Sequence, residues 1–196
     1  MDAKYPPGSL AHYRQIAVAP LAEGTGSAPN AGVCRLAGLS FNDGPVEAGA
    51  GMDVADLVWR RLDMAGLPIA APEKTEEALA AVGADIRAEN GIALAKALAA
   101  RTGADVALLG CVARYQELDG AWYYADRPAA VAFGLVAVDA ASGDVVWAGK
   151  FEEKQRSLFA DLTRWRIFWA GGLVWQRAQK LAGVGVDFLA ERMTGR

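Results

Sequence analysis

The chain holds a single histidine, His12, and only two cysteines, Cys34 and Cys111, in 196 residues. Neither cysteine has a Cys-x-x-Cys partner, so the Cys and His ligand sets of ordinary zinc sites cannot be assembled, and no metal is expected. Two cysteines are also too few for a disulfide-rich scaffold. They can close one bridge at most; the blander reading is two free thiols, with Cys111 packed inside a strand. A basic excess is missing as well: 20 Lys and Arg stand against 23 Asp and Glu, for a formal net charge of −3. Neutralising nucleic-acid phosphates or coating an anionic membrane requires the opposite balance, so no nucleic-acid partner is expected. The longest strongly apolar run, Pro128 to Val138, has 11 residues. A membrane-spanning helix needs about 20. Met1 is followed by Asp2, Ala3 and Lys4 with no apolar stretch behind them, which is not a signal peptide. The expectation is a cytoplasmic protein or the mature part of an exported one.

Signatures of catalysis are equally scarce. No serine stands in a G-x-S-x-G elbow, and a triad would have to recruit His12 from a proline-rich leader, where it reads as solvated. The stretches Glu23–Gly26 and Gly49–Gly51 are glycine-rich, but neither completes a phosphate-binding fingerprint. They read as linkers. Glu76–Glu77 and Glu152–Glu153 are adjacent in sequence, and neighbours on a helix or strand diverge, so neither pair can share one site. No catalytic, cofactor-binding or metal-ligating residue is nominated, and no enzymatic activity is expected.

What is present is apolar periodicity. Hydrophobic residues make up 53% of the chain and charged ones 22%, enough for an ordinary core. Residues 1–14 form an extended leader interrupted by Pro6, Pro7 and Gly8. Residues 15–196 are expected to form a single domain. Gln15–Leu21 is a short strand closed by Pro20, and residues 22–51 are a long glycine- and proline-containing connection. Asp53–Ala65 carries an apolar stripe of Val54, Leu57, Val58 and Leu62, with Asp53 placed to cap the helix. Leu67–Ala71 is a strand candidate. Thr75 is placed to cap a short helix reaching Val82, and Asn90 precedes a second helix ending at Arg101 and Gly103. Asp105–Tyr115 and Val131–Asp139 are apolar on both alternating faces, the pattern of central strands covered on two sides. Asp144–Gln155 pairs back after a turn at Ala140–Gly143. Val174–Met193 is a final helix whose Gly183 and Gly185 permit close approach of another backbone. The fold class is therefore mixed α/β: a three-layer arrangement, about five strands, helices on both faces and a helix at the C-terminus.

The aromatic residues are the least ordinary feature. Trp122, Tyr123 and Tyr124 fall together in one polar segment, DGAWYYADR. Trp165, Phe168 and Trp169 fall together in another, TRWRIFW. Packing and surface contact both remain open for these six residues. Tryptophan beside arginine on a surface suits a protein partner, a sugar face or a lipid headgroup.

The order of QIAVAPL, a glycine-rich loop, ADLVWRRL, LAARTGADVALLGCVARYQE and VAFGLVAVDAASGDVVWAGKFEE resembles bacterial envelope lipoproteins with a TolB N-terminal-domain-like fold, the group of CsgG, PelC and LpoB. The most specific pieces are Gly103–Ala104–Asp105 leading to Leu109–Gly110, and Asp139 through Gly143 to Trp147. The match covers roughly residues 15–155. The resemblance implies a non-enzymatic periplasmic protein, lipid-anchored through an N-terminal cysteine, acting as an accessory or scaffold in envelope assembly or export. No lipobox is visible, and Met1 stands where such a cysteine would be. The implied partner is an envelope protein, or a second copy, gripped by the aromatic loops. The alternative is a carbohydrate- or lipid-binding envelope module contacting a glycan. No long amphipathic hairpin of the pore-forming relatives is present.

Overall fold

A computed structural model of the chain describes residues 2–3, 8–24, 37–42, 44–82, 91–121, 124–155 and 177–195. The architecture grows from one hydrophobic hairpin. Strands β4 (Val106–Gln116) and β7 (Ala130–Asp139) pair antiparallel from Val106 opposite Asp139 to Gln116 opposite Ala130. β8 (Val145–Lys154) pairs with the far side of β7, and β1 (Asp2–Ala3) adds to β8 at Lys150 and Gly149. The near flank of β4 is taken by two short parallel strands in succession, β2 (Ile16–Val18) and β3 (Ala22–Glu23). The sheet order is therefore β1-β8-β7-β4-β2, with β3 beside β2 on the same strand. A separate small hairpin, β5 (Asp119–Ala121) with β6 (Tyr124–Arg127), rises between β4 and β7.

Both faces of the sheet are covered, as the two-sided apolar pattern requires. On one face lie α1 (Ala50–Met64) and α4 (Ala178–Thr194). They pack over Ile16, Val106, Leu108, Phe133, Leu135, Trp147 and Phe151. On the other face, α2 (Pro72–Ala80) and α3 (Gly91–Thr102) cover Ala107, Leu109, Val136, Val138 and Ala148 through Ala78, Leu94, Ala95 and Leu98. The mixed three-layer class is the expected one.

A bulge between Val112 and Arg114 changes which residues of β4 share a face. Even-numbered side chains face α1 and α4 up to Val112; one extra residue then reverses the alternation. Tyr115 consequently joins the core cluster of Leu108 and Val112. Arg114 turns to Glu152 at 3.7 Å and donates to the Asn42 carbonyl, holding the 37–42 segment against the sheet.

Several local expectations change. Asp53 does not cap α1: the helix begins at Ala50 behind Gly49, whose φ is +88°, and Glu23 Oε1 accepts the Gly51 N–H at 2.9 Å. Thr75 is not a cap either, but lies inside α2 and is buried. The Leu67–Ala71 strand reduces to a single parallel bridge, Ile69 to Ile16, because Pro68 cannot donate to a longer ladder. The 22–51 connection contributes β3. Helix α4 starts at Ala178; Val174 lies outside the described residues. Gly185 meets the Phe151 ring rather than a backbone, and Gly183 faces open space. Cys111 is not a free thiol but disulfide-bonded. The chain's other cysteine, Cys34, lies outside the described residues.

The leader is tied at two places. Asp2–Ala3 extend the sheet, and Gly8 and Leu10 donate their N–H groups to the Arg192 and Met193 carbonyls at the end of α4. Leu10 is fully buried in the core between the sheet and α4.

Candidate functional site

Helix α3 ends at Thr102, whose hydroxyl donates back to the Leu98 carbonyl at 2.9 Å. Gly103 then takes φ +75°, a left-handed conformation glycine adopts without strain, and the chain turns into β4. Asp105 sits at that turn. Its carboxylate accepts the Arg14 backbone N–H at 3.0 Å on one oxygen and the Arg14 guanidinium at 3.0 Å on the other. Across the sheet, Asp139 ends β7. Its Oδ1 accepts the N–H groups of Ala141 at 3.0 Å and Ser142 at 2.8 Å, with the Ser142 hydroxyl at 3.1 Å. The Tyr13 hydroxyl donates to the same carboxylate.

These turns and the 12–14 segment enclose an open groove of about 760 Å³. One wall is the His12 and Tyr13 ring pair, with centroids 4.2 Å apart and planes tilted by 34°. Ala99 and Ala100 of α3 and Ala140 and Ala141 of the β7–β8 turn give it small methyl surfaces, and Lys96 stands at the α3 side.

The electrostatics show what this groove can do. The Arg14 hydrogen bonds hold the Asp105 carboxyl below the usual carboxylate range. The Ser142 N–H does the same for Asp139 against a smaller opposing effect of burial. Burial first, then the neighbouring Asp139, pushes the Tyr13 phenol up. Each shift moves away from neutrality: both acids are held ionised and the phenol protonated. General acid or base work at neutral pH needs a shift in the other direction. Among the described residues no cluster of three or more His, Cys, Asp or Glu side chains is placed to hold a metal ion.

Of the six aromatic residues nominated from sequence, Trp122, Tyr123, Trp165, Phe168 and Trp169 lie outside the described residues. Tyr124 opens β6, where its backbone pairs with Ala121. The base of that hairpin is closed by Arg127 and Asp119 at 2.7 Å. Of this first aromatic group only the Tyr124 backbone is described, on the small hairpin between β4 and β7 in the chain. Sequence reasoning missed the groove, because its side chains come from the leader, α3 and two turns far apart in the chain. One signal was available: Gly103–Ala104–Asp105 and the stretch from Asp139 to Gly143 were the most specific pieces of the resemblance, and each supplies one of the groove's carboxylates.

No family model matches the chain, and no curated protein does. Solved structures do. The PelC dodecamer from Paraburkholderia phytofirmans overlaps it with a TM-score of 0.56 at 15% identity, covering 100% of this chain and 96% of that one. A second PelC structure, a variant from the same organism, gives 0.56 at 15% identity over 98% and 97%. The lipoprotein GNA1162 from Neisseria meningitidis gives 0.49 at 18% identity over 82% and 99%. The chain shares the PelC fold, in agreement with the resemblance read from its sequence.

Proposed function

We propose that this chain is a non-enzymatic accessory or scaffold protein of the bacterial envelope, acting in assembly or export from the periplasm and held at a membrane by a lipid anchor. The reading is carried by the overlap with PelC over essentially the full length of both chains. The Cys111 disulfide supports an oxidising compartment such as the periplasm.

In this reading the protein grips an envelope protein, or a second copy of itself, through Trp122, Tyr123 and Tyr124 on one loop and Trp165, Phe168 and Trp169 on the other. The test is photocrosslinking from these positions in cells, with sedimentation of the purified protein to measure self-association. A specific adduct with an envelope protein, or an assembly larger than one chain, that disappears on alanine replacement of both triplets is the expected result. Adducts and assembly state unchanged by those replacements would remove the aromatic surface from the proposal.

A further inference from the structure

Residues 37–42 form a strap that completes the cover over the α2–α3 face of the sheet. Ala37 is buried in the cluster of Leu109, Val136 and Ala148, and Leu39 packs against it. The trailing end of the strap is clasped by polar groups of β8 and β4. Lys150 Nζ donates to the Ser40 carbonyl at 2.9 Å and lies 5.7 Å from the centre of the Phe41 ring. Glu152 Oε1 accepts the Asn42 backbone N–H at 3.2 Å and its side-chain amide at 2.8 Å, while Arg114 donates to the Asn42 carbonyl.

Cys111 points to the same face. Ala107 and Leu109 belong to that cluster, strand side chains alternate, and the bulge in β4 comes only after Val112. Cys111 is disulfide-bonded and 1% exposed. A sulfur so enclosed has no room for a cysteine of another molecule, which leaves Cys34, the only other cysteine in the sequence. Cys34 stands three residues ahead of Ala37, and three residues span at most about 11 Å. A bridge to Cys34 therefore ties the leading end of the strap to β4, while the polar clasp ties its trailing end to β8.

We propose that the strap is a cover locked by a Cys34–Cys111 disulfide and opened by a dithiol reductant. One thiolate of the reductant attacks the bridge, and the second closes the reductant's own disulfide. Two electrons pass to the bridge, and Cys34 and Cys111 are released as thiols carrying the reductant's two protons. The intact bridge keeps the strap at high effective concentration beside its clasp. Once it is cut, the polar contacts hold the strap alone, and exposed contacts of this kind are weak in water. Opening bares apolar surface at Leu109 and Val136 while the β4–β7 and β7–β8 ladders stay paired.

The test begins with non-reducing peptide mapping of the intact chain, which should recover Cys34 and Cys111 cross-linked within one monomer. Amide hydrogen exchange is then followed by mass spectrometry in native buffer, with and without dithiothreitol. Reduction is expected to speed exchange across residues 37–42 at least about tenfold and to leave β4 and β7 unchanged. Cys34→Ser should reproduce the reduced pattern without reductant and be insensitive to dithiothreitol. A Cys111 bridge to a second chain overturns the proposal, as does a bridge that dithiothreitol leaves intact in the folded protein. So do unchanged exchange at residues 37–42 after reduction, or a rise that spreads over β4 and β7 as well. None of these measurements involves the aromatic segments or an envelope partner.

Discussion

Glu117 holds the start of a helix that lies 61 residues further along the chain: its Oε2 accepts the backbone N–H of Ala178, the first residue of α4, at 3.2 Å. Arg177 at the cap position makes no side-chain cap bond. Glu23 serves α1 in the same way across 28 residues. The sheet thus supplies carboxylates to the positive ends of the two helices on its face. Replacing Glu117 by Ala strands the Ala178 N–H and is expected to cost about 1 kcal/mol. Urea unfolding of the two proteins measures it, and equal midpoints would show that the contact contributes nothing.

The two glycines of α4 answer differently to the same substitution. A methyl group at Gly183 meets nothing within 4 Å, so Gly183→Ala is expected to stabilise the protein by about 1 kcal/mol through helix propensity. A methyl group at Gly185 would lie 2.5 Å from two carbons of the Phe151 ring, so Gly185→Ala is expected to destabilise it by about 1–3 kcal/mol. Thermal unfolding of the pair gives opposite signs if α4 is seated on Phe151 as described.

Tyr115 predicts an alkaline limit. Burial, followed by the charges of Asp53, Glu117 and Glu47, pushes its phenol up to about 12 from the usual 10. A group raised in the folded state contributes stability that is complete below the unfolded value and lost above it. Between pH 10 and 12 the unfolded phenol ionises first, so stability falls with rising pH, by up to about 3 kcal/mol over that interval. Tyr115→Phe should remove this part of the decline. A parallel decline in the two proteins would contradict the assignment.

Reduction supplies a fourth measurement. Cys111 is buried in the central strand and disulfide-bonded. Reductant is expected to lower the stability of the unaltered protein by about 2–4 kcal/mol and to leave a Cys111→Ala variant where it was. A reductant-insensitive parent protein would argue against a bridge.

The strongly patterned elements were legible in the residues themselves. Val106–Gln116 and Ala130–Asp139 announce central strands because both their faces are apolar, and α1 announces its buried stripe at Val54, Val58 and Leu62. Contacts between distant segments were not. Asp53 satisfies the local rule for a cap, yet Glu23 performs the task because β3 carries it to the Gly51 N–H. Tyr115 breaks the alternation of its own strand because of a bulge that no residue in β4 advertises. The groove needs Arg14 to reach Asp105 across 91 residues, and Tyr13 to reach Asp139 from the same leader. Periodicity records which face is wet; it does not record which wet residues will meet.

The flank of β4 occupied by β2 and β3 has one further consequence. It is dressed in a run of three residues and then a run of two, with Pro20 between them. A margin so broken, with Ile69 already bridged to Ile16, gives an incoming chain no uninterrupted ladder to zip along, and the proline removes a donor at the gap. On that side the architecture guards itself against runaway strand addition, a useful safeguard for a protein whose central hairpin is almost wholly apolar.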